Sequence, residues 1–176
     1  MRKLLFQNLL RSPLTIPAPA PSEAALAELA AKVDQAARKR LGRSLSIREV
    51  DAGSCNGCEL EIHALNNVFY DLERFGFHFV ASPRHADVLL VTGPVTINMK
   101  EALERTYTAT PDPKWVVAVG DCGRDGGVFA GSYACVGGVS AVIPVDLHLP
   151  GCPPTPMQLL QGLLALLQAQ DSSQGS

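Results

Sequence analysis

Two stretches of this chain, Val88-Leu89-Leu90-Val91 and Trp115-Val116-Val117-Ala118-Val119, are apolar at every position. A strand with one wet face alternates apolar and polar residues, whereas an unbroken run has to be covered on both faces. Runs of this kind, alternating with helical patterns, predict a parallel sheet sandwiched between helices. Strands are expected over 44–50, 77–80, 87–92, 114–119 and 141–145. A helix is expected over 59–75, on a stripe of Leu60, Ala64, Val68, Leu72 and Phe75 closed by Gly76. Two more are expected over 98–108, capped by Asn98, and over 155–168. The fold class that follows is α/β, a doubly wound parallel sheet over 44–170. Residues 1–43 form an N-terminal extension. It comprises an amphipathic helix over 1–12 (Leu5, Phe6, Leu9, Leu10), a linker stiffened by Pro13, Pro17, Pro19 and Pro21, and a helix from the cap Ser22 to about Leu41. Residues 171–176 are expected to be a disordered tail.

Composition narrows the function. Of 176 residues, 47% are hydrophobic and 18% charged, enough to bury a core and too apolar for a disordered chain. Nothing in the formal net charge of -2 suggests a nucleic-acid binder. The apolar runs are too short for a membrane-crossing helix. The apolar start Leu4-Leu5-Phe6 breaks at Gln7-Asn8, which does not make a secretory signal. The five cysteines are an odd number. Together these point to a reducing compartment, where clustered thiols bind metal more often than they form disulfides.

Four of those cysteines follow predicted strands. Cys55 and Cys58 come after the first, Cys122 comes three residues after Val119, and Cys152 comes after the 141–145 strand. The carboxyl ends of parallel strands share one edge, where open α/β sheets place ligands. Three distant segments can therefore present four thiolates to one point. Four thiolates suit Zn²⁺ or a cubane iron–sulfur cluster. The neighbouring glycines (Gly53, Gly57, Gly120, Gly123, Gly151) favour the bulkier cluster, because they let backbone approach it closely. A thioredoxin-like pair at Cys55 and Cys58, or simple burial of scattered cysteines, remain as alternatives. Cys135 is assigned to packing. Glu59 and Glu61 open a helix and suit its dipole, and Glu61 has a second reading as a relay or tuning group beside the metal. His63, His78, His85 and His148 form no pair at ligand spacing and read as structural or surface groups. The glycine-rich stretch 123–138, with Tyr133, reads as a long irregular loop.

These motifs resemble a known family. Cys-Asn-Gly-Cys-Glu-Leu-Glu at 55–61, Ser-Pro-Arg-His-Ala-Asp at 82–87, Gly-Asp-Cys at 120–122 and Gly-Cys-Pro-Pro-Thr-Pro at 151–156 are similar to the small iron–sulfur subunit of energy-converting [NiFe] hydrogenases. That subunit is homologous to the 20 kDa subunit of respiratory complex I. The complex I branch carries two adjacent cysteines. The spacing of Cys55 and Cys58 resembles the formate hydrogenlyase-type, group 4 branch. The resemblance implies a flavodoxin-like domain holding one [4Fe–4S] cluster on Cys55, Cys58, Cys122 and Cys152. It implies an electron-transfer subunit with no catalytic centre of its own. Its expected partners are a large [NiFe]-type subunit, a ferredoxin-like iron–sulfur subunit and integral membrane subunits, with no nucleic acid. The expected place is cytoplasmic, peripheral on the inner membrane. The 123–138 loop would then dock the large subunit, and Arg84 would bond across that interface or serve equally as a helix cap or in a surface ion pair. Two other readings stand beside this one, a complex I-type subunit feeding quinone and a zinc protein used only for binding.

Overall fold

The computed structural model describes residues 23–75 and 77–169. The expected 1–12 helix, the proline linker, the Ser22 cap, the Gly76 stop and the 171–176 tail lie outside the described residues. The chain opens with helix α1 (Glu23–Leu41) and passes into strand β1 (Ser46–Asp51) and helix α2 (Gly57–Ala64). Strands β2 (His78–Phe79), β3 (Val88–Thr92) and β4 (Val95–Thr96) follow, then helix α3 (Ile97–Ala109) and strand β5 (Trp115–Val119). A short helix α4 (Gly120–Asp125), strands β6 (Cys135–Gly137) and β7 (Leu147–Leu149) and helix α5 (Pro156–Ala169) complete it.

Five of these strands form one parallel sheet in the order β2-β1-β3-β5-β7, the flavodoxin-like arrangement. β3 and β5 occupy its centre, and every residue in both is buried. Side chains alternate across the sheet. Ile47, Val88, Leu90, Val117 and Val119 meet Ile62 and Leu65 near α2, Ala37 of α1, and Leu159, Leu160 and Leu163 of α5. Val50, Leu89, Val91, Val116 and Ala118 meet Leu103 of α3, Val139 and Ile143 on the opposite face. Both faces are therefore covered, as the unbroken apolar runs require.

Four expectations are corrected. The helix expected over 59–75 stops at Ala64. Asn67 Oδ1 accepts the N–H groups of Phe69 and Tyr70, both at 2.9 Å, and bends the chain away. The expected stripe holds only in part: Leu72 is buried, but Leu60 and Val68 are exposed, and Ile62 and Leu65, outside the stripe, are buried. The strand expected over 141–145 does not form. Pro144 has no N–H for a ladder, and the strand is β7, beginning at Leu147. The 123–138 stretch is not irregular. It holds the end of α4, a 3₁₀ turn at Gly127–Phe129, and β6, which pairs antiparallel with β4. The α3 cap is Thr96 rather than Asn98.

Candidate metal centre

The carboxyl edge of the sheet brings three loops together. After β1, Asp51 Oδ1 accepts the N–H groups of Gly53 and Ser54, both at 2.8 Å, and turns the chain sharply. Asn56 follows in the left-handed conformation (φ 70°) and starts α2, so Cys58 lies in its first turn. After β5, Gly120 opens α4 and places Cys122 within it. After β7, Gly151 is held to Asp121 by two hydrogen bonds. The Asp121 N–H donates to Gly151 O at 2.9 Å, and the Gly151 N–H donates to Asp121 Oδ1 at 3.2 Å. That link fixes the Cys152 loop beside the Cys122 helix.

Cys55, Cys58, Cys122 and Cys152 line one cavity, with Gly57, Gly93, Gly151 and Pro153 completing its walls. The thiols also feel one another. Burial pushes the Cys58 thiol up to about 12, and Glu59 and the charges of the other three cysteines push in the same direction. Burial raises the Cys122 thiol as well, opposed by a hydrogen bond from the backbone of Val128. By themselves, Cys58 and Cys122 therefore keep their protons at neutral pH, and a cationic guest would supply the field that ionises them.

The residues fit an iron–sulfur cluster. A Cβ at Gly120 (φ 81°) would lie 2.7 Å from Cys58 Sγ, and one at Gly127 (φ 50°) would lie 2.8 Å from Cys122 Sγ. The backbone is thus pressed onto two sulfurs where no other residue has room. Among the described residues, no three His, Cys, Asp or Glu side chains are placed to hold a single metal ion.

The other candidates fall around this cavity or away from it. Glu61 is half-buried. Glu59 is 6% exposed, and neither of its carboxylate oxygens has a hydrogen-bond partner. Burial also raises Glu49, with Glu59 adding to the rise and His63 opposing it. Sequence reasoning looked to Glu61 and missed Glu59. The signal was available, because Glu59 lies three residues before the buried Ile62 and shares its inward face. Cys135 is half-buried in β6, outside the cavity wall. All four histidines and Arg84 are exposed or only part-buried, and the Arg84 N–H donates to Ser82 Oγ at 3.4 Å. Exposed apolar groups flank the cysteines: Leu60 two residues after Cys58, and Val128, Phe129 and Tyr133 in the segment after Cys122.

A model of the family described as NADH ubiquinone oxidoreductase, 20 Kd subunit, matches residues 55–166, a span that begins at Cys55 and runs past Cys152. The chain belongs to that family. It is 42% identical over 163 residues to formate hydrogenlyase subunit 7 of Escherichia coli, covering 91% of this chain and 62% of that one. The chain thus spans less than two thirds of that relative's length. It is 48% identical over 130 residues to the probable membrane-bound hydrogenase subunit mbhJ of Pyrococcus furiosus, covering 74% of this chain and 78% of that protein. A chain in the solved structure of the membrane-bound sulfane sulfur reductase, an archaeal respiratory membrane complex, is 35% identical. It superimposes with a TM-score of 0.66 over 80% of this chain and 76% of its own. Members of the 20 Kd family therefore include subunits of membrane-bound complexes. Among the described residues of this chain, no helix is long and apolar enough to cross a membrane.

Proposed function

We propose that this chain is the electron-relay subunit of a membrane-associated hydrogenase complex, with one [4Fe–4S] cluster held by Cys55, Cys58, Cys122 and Cys152. The observation that carries this reading is the convergence of four thiols from three separate loops on one cavity at the carboxyl edge of the sheet. When bound, the cluster supplies one-electron transfer between a ferredoxin-type donor and the Ni–Fe site of a large subunit, where protons and electrons combine to dihydrogen or the reverse occurs. The chain's own residues hold and shield that group. Asp51 and Asp121 fix the loops, Gly120 and Gly127 admit the sulfurs, and the half-buried place of Cys58 limits its contact with water. The large subunit docks over the cysteine edge, against the apolar side chains of Leu60, Val128, Phe129 and Tyr133. A ferredoxin-like subunit and integral membrane subunits complete the assembly, which lies on the cytoplasmic face of the inner membrane.

The test is anaerobic purification of the complex through a tag on this chain. A brown protein with about four irons per chain, and a paramagnetic signal on reduction, is the expected result. A colourless protein with a single zinc would end the proposal. A second reading, electron delivery to quinone in a complex I-type assembly, is favoured by the description of the matching family. Nickel in the purified complex decides for the hydrogenase. Iron without nickel, together with quinone reduction, decides for the second reading.

A further inference from the structure

We propose that Arg124 is a positioning residue for the group held by the four cysteines, because its guanidinium joins two carboxylates that each hold a different wall of the cavity. The inference rests on the cluster reading above and adds residues outside the ligand set. The first carboxylate is Asp121. Its Oδ1 accepts the Gly151 N–H at 3.2 Å, and its own N–H donates to Gly151 O at 2.9 Å, so it holds the backbone just before Cys152. The second is Asp125, whose Oδ1 accepts the Gly127 N–H at 2.9 Å. Gly127 (φ 50°) is the residue where a Cβ would lie 2.8 Å from Cys122 Sγ. Arg124 spans the two. Its Nε and Nη2 donate to Asp125 Oδ2 at 3.1 and 2.9 Å, and its Nη1 lies 3.5 Å from Asp121 Oδ1. The backbone that carries Arg124 is itself fixed. A Cβ at Gly138 would collide with Arg124 O, so the chain after β6 is pressed against it. The Gly126 N–H donates to Cys122 O at 2.9 Å and closes the end of α4.

Asp121 and Asp125 lie four residues apart on one short helix, where two like charges repel. A guanidinium between them replaces that repulsion with two attractions, and its planar fork can serve both carboxylates at once. All three side chains are well exposed: Asp121 37%, Arg124 48% and Asp125 56%. Ion pairs this exposed contribute little to folding, so the bridge is a weak support for the domain as a whole. Its effect is local. It keeps the Cys152 loop and the Gly127 turn in a fixed relation to Cys122, and a site already held in shape spends less of its binding energy on ordering. Without Arg124 the two carboxylates part, the walls they hold move independently, and a bound cluster is released more readily.

The test is made on the complex isolated anaerobically through this chain, by following the iron it releases to a strong chelator. Arg124→Ala is expected to release iron several-fold faster than the unaltered protein, and Asp125→Ala to do the same. Because both residues belong to one bridge, the double variant should release iron no faster than the faster single variant. Arg124→Lys keeps the charge but not the fork, and should recover part of the retention. The urea midpoint of the cluster-free full chain should be nearly unchanged in Arg124→Ala. Three results overturn the proposal: an unaltered release rate in Arg124→Ala, single effects that multiply in the double variant, or a urea midpoint that falls in step with retention. If Arg124→Ala yields no complex, Arg124→Lys decides. Faster release than from the unaltered protein supports the bridge, and release at the unaltered rate overturns it. Absence of iron from the unaltered complex would instead overturn the cluster reading itself.

Discussion

The two ends of the sheet treat a buried carboxylate in opposite ways. At the amino end, Asp87 is 4% exposed and fully engaged. Its Oδ1 accepts from Arg43 Nη2 at 2.7 Å, and its Oδ2 accepts the Ser46 N–H at 2.9 Å and Arg43 Nη1 at 3.1 Å. At the carboxyl end, Glu59 is nearly as buried and has no partner for either oxygen. The first end is a finished joint, tying the segment after α1 to the starts of β1 and β3. The second keeps an unpaired acid, thiols of raised pKa and glycines flush against sulfur. Buried polar groups are ordinarily paired, and unpaired ones cluster where a protein does chemistry or receives a guest. The stability of the fold and the fitness of the site are thus built at opposite edges, and changes at one should spare the other.

The largest effect should come from exchanging damage between the ends. Cys152→Ser is expected to cost most of the iron of the isolated complex while leaving the urea midpoint of the cluster-free chain nearly unchanged. Asp87→Ala should do the reverse. It strands the buried Ser46 N–H and removes the carboxylate partner of the half-exposed Arg43, at a cost of about 2 kcal/mol, with the iron content of the folded fraction intact. Urea unfolding and iron analysis on both variants test the separation, and the comparison breaks if Cys152→Ser unfolds the chain or Asp87→Ala empties the site.

A smaller effect sharpens the contrast between the two acids. Glu59→Gln removes an uncompensated buried carboxylate, and the cluster-free chain should become more stable by roughly 1 kcal/mol. A loss of stability in urea would mean that Glu59 has a partner in solution. A further test of the comparison is a pH dependence. The Cys58 thiol is raised to about 12 in the folded chain. Its protonated form is therefore the one that folding favours. The stabilisation is complete below the ordinary thiol pKa of about 8.5 and is lost as pH climbs from there through the folded value. Unfolding of the cluster-free chain at about pH 8 and about pH 10.5 should show a decline that Cys58→Ala flattens. An identical decline in that variant removes the assignment to Cys58.

How much could be read in advance follows the range of each interaction. β3 and β5 were legible because an unbroken apolar strand permits few environments, and both proved buried at every residue. The grouping of the cysteines was legible for a topological reason, since parallel strands finish at one edge. The end of α2 was not legible from periodicity. Leu72 of the expected stripe is buried, but Asn67 bends the chain before it, and Val68, at helical spacing, is 98% exposed. β7 was misplaced because apolar content around Ile143 is real and buried, yet Pro144 denies it a ladder.

The order of residues alone determined the layers, the parallel sheet and which cysteines gather at one edge. Each depends on local pattern or on the direction of a strand, and both are written along the chain. Only the tertiary structure decided that Glu59 is left unpaired, that Gly120 and Gly127 lie against sulfur, and that Asp121 ties the Cys152 loop to the Cys122 helix. Those are contacts made across turns and between separate loops. Their strength depends on distances of a few tenths of an ångström, which no spacing in a sequence can specify.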